Sequence, residues 1–343
     1  MKRFKRKVRP LLVGSIFLMA LALPIMDCNA QATPNRVLLA LSKADHTLAI
    51  VDPETLAIVA RIPVGEDPHE VIASTDGKIA YVSVYGGGSF HEINSIDLVA
   101  QKPLRNIDTR PLFGPHDITF VNGKAWFTAE GSKAVGRYDP KTDQLDWSMG
   151  TGQDRTHMIY VTPDGKKVYT TNVNSGTVSI LEDKILSPSN KPHKEWHQTV
   201  VPTARGSEGF DVSPDGSELW TASSADGTIS IIDLGTKNLS TKIDAKVMGA
   251  NRLKFTPSGK RVFISSLRTG ELTIYDTQSR TEVKRLKIGR GAAGILMDPV
   301  GSRVFVASSA DNYLAIVDLK TLEVVCHLDV GGTPDGLAWA VQK

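Results

Sequence analysis

The sequence predicts an all-β chain, a seven-bladed β-propeller of four-stranded blades, and three observations predict it. One template recurs six times, as "PHEVIASTDGKIAYVSV", "PHDITFVNGKAWFTAE", "THMIYVTPDGKKVYTTN", "SEGFDVSPDGSELWTAS", "ANRLKFTPSGKRVFISS" and "AAGILMDPVGSRVFVAS". Each copy is an apolar run, a turn and a second apolar run, the pattern of a β-hairpin. Most copies continue into another hairpin, such as "GTISIIDLGTKNLSTKI", so a unit holds four short strands in roughly 40–50 residues, a blade's length. The two ends are complementary. "NRVLLALSKADHTLAIVDPETLAIVARIPVG" has three strands and lacks the opening one, and "TPDGLAWAVQK" is an opening strand alone. Together they complete a seventh blade, which closes the ring and removes its free edges.

Residues 1–32 precede this repeat and read as an export signal. Six Lys or Arg within the first nine residues lead into "LLVGSIFLMALALPIM" and then "DCNAQA", a charged start, an apolar middle and a small-residue cleavage region. Cleavage falls after Ala30 or Ala32. The apolar run is short for a span, so no stable membrane anchor is expected, and Asp27 before Cys28 argues against a lipoprotein. Removing six basic residues and Asp27 from totals of 40 and 37 leaves 34 basic against 36 acidic residues in the propeller, 33–343. That balance gives no electrostatic footing for nucleic acid. Cys326 is then the single cysteine, and a chain of this size needs no disulfide to bury a core. A periplasmic or secreted location is expected.

Taken in order, the blades align their innermost strands on one register. The residues at its head are His69, His116, His157, Glu208, Asn251, Ala293 and Asp335. Three consecutive histidines from a chain with eight, followed by Glu208, point to a site around one channel mouth. His69, His116, His157 and Glu208 form a candidate divalent-metal set, provided the donors converge at about 2.0–2.1 Å for zinc. Without metal, the same cluster suits acid–base chemistry near neutral pH. The plain alternative is a wet mouth lined by polar residues. Arg110, Arg155, Arg205 and Arg290 precede the ring positions, with Arg252 and Arg268 nearby, and would grip carboxylate or phosphate groups. The hairpins between second and third strands open on the same face and bring Lys43, Tyr85, Glu130 and Asn172, of which Glu130 and Asn172 join the candidate ligand-binding set. In the second blade that hairpin is stretched by "GGG" before Phe90, His91 and Glu92, a candidate lid or equally a loose turn. The fourth blade carries the insertion "EDKILSPSNKPHKEWHQTV", with Trp196.

The motif "VTPDGKKVYTTNVNSGTVSILE", echoed by "VSPDGSELWTASSADGTISIID", resembles the YVTN-type, YncE-like seven-bladed propellers of exported bacterial proteins. The likeness spans the chain after the signal and implies the fold. For function it implies scaffolds that bind ligands or partners and companions of periplasmic redox systems, a subset of them beside quinone-dependent catabolism. "RTHMIYVTPDGKKVYTTN" also resembles the strand entry of lactonase-type propellers through Arg155 and His157, although Thr156 separates the two and Asn172 stands where an acid is usual. "GPHDITFVNGKAWFTAEGSKAVGRYDPKT" resembles one blade of the streptogramin lyases through His116 and Glu130.

Two functions at the mouth follow as expectations, beside a purely interactional role that would use the blade rims. The first is a propeller that binds a small anionic molecule or a periplasmic protein at the mouth. The second is a lactonase- or lyase-type enzyme with His116 or His157 as base, Arg155 steadying the substrate and Glu208 as proton donor or metal ligand. No serine sits in a Gly-x-Ser-x-Gly elbow, so a nucleophilic triad is not expected.

Overall fold

The computed structural model describes residues 32–186 and 193–343. The expected export signal therefore lies, except for its last residue, outside the described residues, as does the tip of the fourth-blade insertion. Seven antiparallel sheets follow one another along the chain. Their innermost strands are Pro334–Val341, Pro68–Ala73, Pro115–Val121, Thr156–Val161, Ser207–Val212, Ala250–Phe255 and Ala292–Met297, and each touches the next in a closed circle. The chain is a seven-bladed β-propeller. Among the described residues no helix is long and apolar enough to cross a membrane.

The first blade is assembled from both ends, as its incomplete strand count requires. Arg36–Ser42 pairs with Thr47–Val51 on one side and with Pro334–Val341 on the other. The second blade departs from four regular strands. Its outermost strand is split into Lys102–Pro103 and Ile107–Asp108, both paired with Glu92–Asp97. Proline donates no ladder hydrogen bond and is tolerated at such an edge.

Second and third strands read as apolar runs because both their faces are buried between neighbouring blades. Clusters such as Leu39, Ile50, Val82 and Ile96, or Phe263, Leu272, Val304 and Val317, fill those spaces. Trp196 packs into one of them. Its ring lies 4.8 Å from Trp147, which lies 5.2 Å from Trp126, and the Arg137 guanidinium covers Trp126.

One irregularity recurs in every innermost strand and places the ring. The pairing with the second strand slips there by one residue, as between Pro68 and Val71 or Thr156 and Ile159. Such a bulge re-aims the side chain it carries. A hydroxyl on the second strand ties it down: Thr128 Oγ1 accepts from Asp117 N (3.0 Å) and donates to His157 O on the next blade (2.6 Å). Thr171 makes the same bridge from Met158 N to Glu208 O, and Ser265 from Arg252 N to Ala293 O. The hydroxyl thus carries the ring register from blade to blade.

Candidate functional site at the channel mouth

His69, His116 and His157 stand side by side on three successive blades. Their ring centroids are 4.6 Å apart between His69 and His116 and 3.8 Å apart between His116 and His157. His157 is fully buried and both its nitrogens meet carboxylates, Nδ1 with Glu130 Oε2 at 2.9 Å and Nε2 with Glu208 Oε1 at 3.2 Å. Burial opposes a charge on His157, but the two carboxylates outweigh it and raise its pKa. Burial acts the other way on His116, and with the positive field of His157, His69 and Arg252 it holds that imidazole neutral, well below the usual pKa. Glu208 resists burial through His157 and Arg252 and stays ionised down to about 2.

The structure regroups the expected metal donors. Among the described residues, His116, Glu130 and His157 offer ligand atoms that all lie within 4.8 Å of one another. His69 faces away, with Nε2 2.7 Å from Lys43 Nζ and 3.0 Å from Asp67 Oδ1. Glu208 lies on the far side of His157, where it also accepts from Asn251 Nδ2 at 2.8 Å. His116 Nδ1 is buried with no hydrogen-bond partner, an uncommon state for a polar atom in a folded interior.

Glu130 begins the short 3-10 turn Glu130–Ser132 after the second strand of its blade. Its Oε1 accepts from Tyr85 OH (2.9 Å) and Arg155 Nε (3.0 Å), which turns Oε2 toward His157. Tyr85 also sets its ring edge-on against His69 and His116. In the expected lid of the second blade, Gly86 and Gly88 are closely packed while Gly87 faces open space. A Cβ on Gly131 would meet Gly88 O at 2.2 Å, and one on Gly86 would enter the Phe90 ring.

The arginines part company. Arg155 reaches the site. Arg110 and Arg290 are exposed and bind nearby carboxylates, Arg110 Nε at 2.9 Å from Asp108 Oδ2 in its own loop and Arg290 Nε at 2.6 Å from Asp311 Oδ1 in the adjoining hairpin, so an arginine ring around an anion is not formed. Arg205 is exposed at the mouth side of its blade. Asn172 is likewise not a mouth residue: it is fully buried between strands, its amide donating to Thr177 Oγ1 and Ser179 Oγ. A further cation of the channel is Arg252, one residue past the ring position of its blade. It is buried in the channel against Glu70, 3.6 Å from Glu208 and 3.9 Å from Asp335.

Asp67 and Arg155 share a backbone feature. The residue two before the ring position has positive φ in all seven blades, at Asp67, Gly114, Arg155, Gly206, Gly249, Gly291 and Thr333. Glycine adopts this conformation freely, and other residues hold it at a cost. Two of the three exceptions carry side chains that touch the cluster.

No family model matches the chain, and no curated protein matches it. Solved structures do. A protein of Bacteroides uniformis provisionally assigned as a 6-phosphogluconolactonase is 14% identical with a TM-score of 0.71, over 89% of this chain and 100% of that one. Hydrazine synthase of Kuenenia stuttgartiensis is 17% identical with a TM-score of 0.65, over 79% and 89%. A dihydro-heme d1 dehydrogenase is 15% identical with a TM-score of 0.62, over 90% and 75%. At such identities the likeness is one of fold.

Proposed function

We propose that the protein is an exported, YVTN-type propeller whose channel mouth holds a divalent metal ion on His116, Glu130 and His157 and uses it to bind and act on a small anionic molecule. The observation that carries this reading is the convergence of three ligand atoms within 4.8 Å beside a buried, partnerless His116 nitrogen. Two imidazoles and a carboxylate suit zinc or another borderline ion. The 2.9 Å between His157 Nδ1 and Glu130 Oε2 fits two neighbouring ligands of one ion, since bonds of about 2.1 Å at a right angle separate their ends by about 3 Å. The ion would displace the proton that now joins them.

The ion would polarise a carbonyl or carboxylate oxygen. Arg155 spends its Nε on Glu130, which leaves its terminal nitrogens for a substrate carboxylate. Lys43 stands on the opposite side, beside His69. Lactonase- or lyase-type turnover is the reaction class that such a set serves, and it agrees with the provisional assignment of the Bacteroides neighbours. A metal-free acid–base site is the second reading, favoured by the opposite protonation of the adjacent His116 and His157.

Elemental analysis of the exported protein, purified without chelator, separates the two. Near-stoichiometric zinc, copper or iron that is lost in His116→Ala and kept in His69→Ala is expected. Metal-free protein that stays metal-free on dialysis against zinc would sink the metal reading.

A further inference from the structure

Below the mouth the channel opens into a second space. A cavity of about 380 Å³ is bounded by innermost strands and walled in part by Met158, Tyr160, Leu296, Leu337 and Trp339. Among the described residues, no mouth histidine and neither Glu130 nor Glu208 lines it, whereas Arg252 and Glu70 do. Arg252 also faces Glu208, so its pair with Glu70 is the partition between the two spaces. A cavity of this size, with an apolar wall and convergent polar groups, has the make-up of a small-molecule site.

The charges around it decide what it would accept. Every carboxylate there already has donors. Asp117 accepts from Ile118 N and Ile159 N, Asp211 accepts from Val212 N and Phe255 N, and Glu70 accepts from Arg252. Lys254 differs. It lines the cavity with its side chain 39% exposed, and among the described residues its ammonium comes no nearer to a carboxylate than 3.9 Å, at Asp211 Oδ1, beyond hydrogen-bond length. Part of the apolar wall is rigid. Trp339 is pinned by its Nε1 donating to Met297 O at 2.8 Å and by the Arg36 guanidinium 4.3 Å above its ring.

We infer that this cavity is a second binding site, for a small apolar carboxylate whose head pairs with Lys254 and whose body lies against Leu296, Leu337 and Trp339. A charge-assisted bond at one end and a preformed apolar wall at the other would orient such a molecule with little ordering cost. An amine of the same shape would meet only carboxylates that are already engaged. The mouth plays no part in this recognition.

Titration calorimetry with 3-phenylpropionate and 3-phenylpropylamine tests it. One saturable site for the carboxylate, none for the amine, and at least tenfold weaker binding in Lys254→Met are expected. Leu296→Trp, which fills the cavity without touching the charge, is expected to abolish binding. The double variant His116→Ala/His157→Ala is expected to bind as the wild type does, whether or not the mouth holds metal. No saturable binding, equal binding of the amine, unchanged affinity in Lys254→Met or Leu296→Trp, or loss of binding in the mouth variant would each overturn the proposal.

Discussion

Arg155 occupies a slot that the fold prefers to fill with glycine. Its φ of 59° places a long side chain on a left-handed turn so that its Nε can reach Glu130. Strain of this kind costs about 1–3 kcal/mol and persists where something else requires the residue. Arg155→Gly is therefore expected to leave the thermal midpoint unchanged or raise it while weakening binding of a carboxylate ligand at least tenfold. A midpoint that falls by several degrees would show that the side chain serves the fold instead. At this scale the sequence was only partly readable. The ring residues His116, His157 and Glu208 were, because strand period and turn spacing fix their register. Glu130 reads from the sequence as a ligand-binding residue but not as a metal donor, since its approach to His157 depends on Tyr85 and Arg155 from two other blades. Asn172 ends its strand at the position of Ala129, one residue before that of Glu130, and it turns inward, where Thr156, Thr177 and Ser179 offer it partners. A one-residue offset in alignment exchanges the inward and mouth-facing positions, because neighbouring strand residues face opposite ways.

Among the elements, the loops beside the mouth carry more information than the strands. The Gly86–Gly88 turn and the Glu130–Ser132 turn interlock backbone to backbone, and this contact sets the height at which Glu130 starts. Gly131→Ala must push Gly88 O away from 2.2 Å, with Val84 and Tyr85 attached to the same segment. We expect that variant to fold with a loss of about 1–3 kcal/mol in urea titration and to retain little metal. Stability lowered to that extent with full metal content would mean that the turn does not position Glu130. The stretch of glycines was legible as an unusual loop, but its packing was not, because a close backbone approach leaves no trace in hydropathy. The recurring Ser or Thr of the second strand was equally silent. It reads as an ordinary strand residue until Thr128 and Thr171 are seen bridging a bulge to the next blade.

For the whole molecule, the repeat made the ring predictable, since seven units of one length leave few other ways to bury both faces of every sheet. The ties between blades were not predictable, because they join residues far apart in the chain. Arg36 reaches Asp298 Oδ1 at 2.5 Å, linking the first blade to the seventh, and Lys237 reaches Glu182 between the fifth and fourth. Burial works to raise both carboxylate pKa values, yet Val300 N, Ser302 and Arg36 at Asp298, and Lys184 and Lys237 at Glu182, hold them below their ordinary ranges. Depressed folded values stabilise the ring above the unfolded pKa values near 4, and this contribution is lost as pH falls through the folded ones. The urea midpoint should accordingly drop on acidification below about pH 4, and Asp298→Asn should flatten that limb. A wild-type limb already flat between about pH 5 and 2 would refute the latch.

The pairing of Arg36–Ser42 with Pro334–Val341 also sets the first and last strands of the propeller side by side, so a circular permutant is expected to fold. A chain whose two ends lie side by side in one sheet is, mechanically, a closed belt with a single cut. Moving that cut to an exposed outer turn between blades would leave each blade continuous and every mouth residue in its place, whereas trimming Pro334–Val341 would remove the buckle rather than a tail.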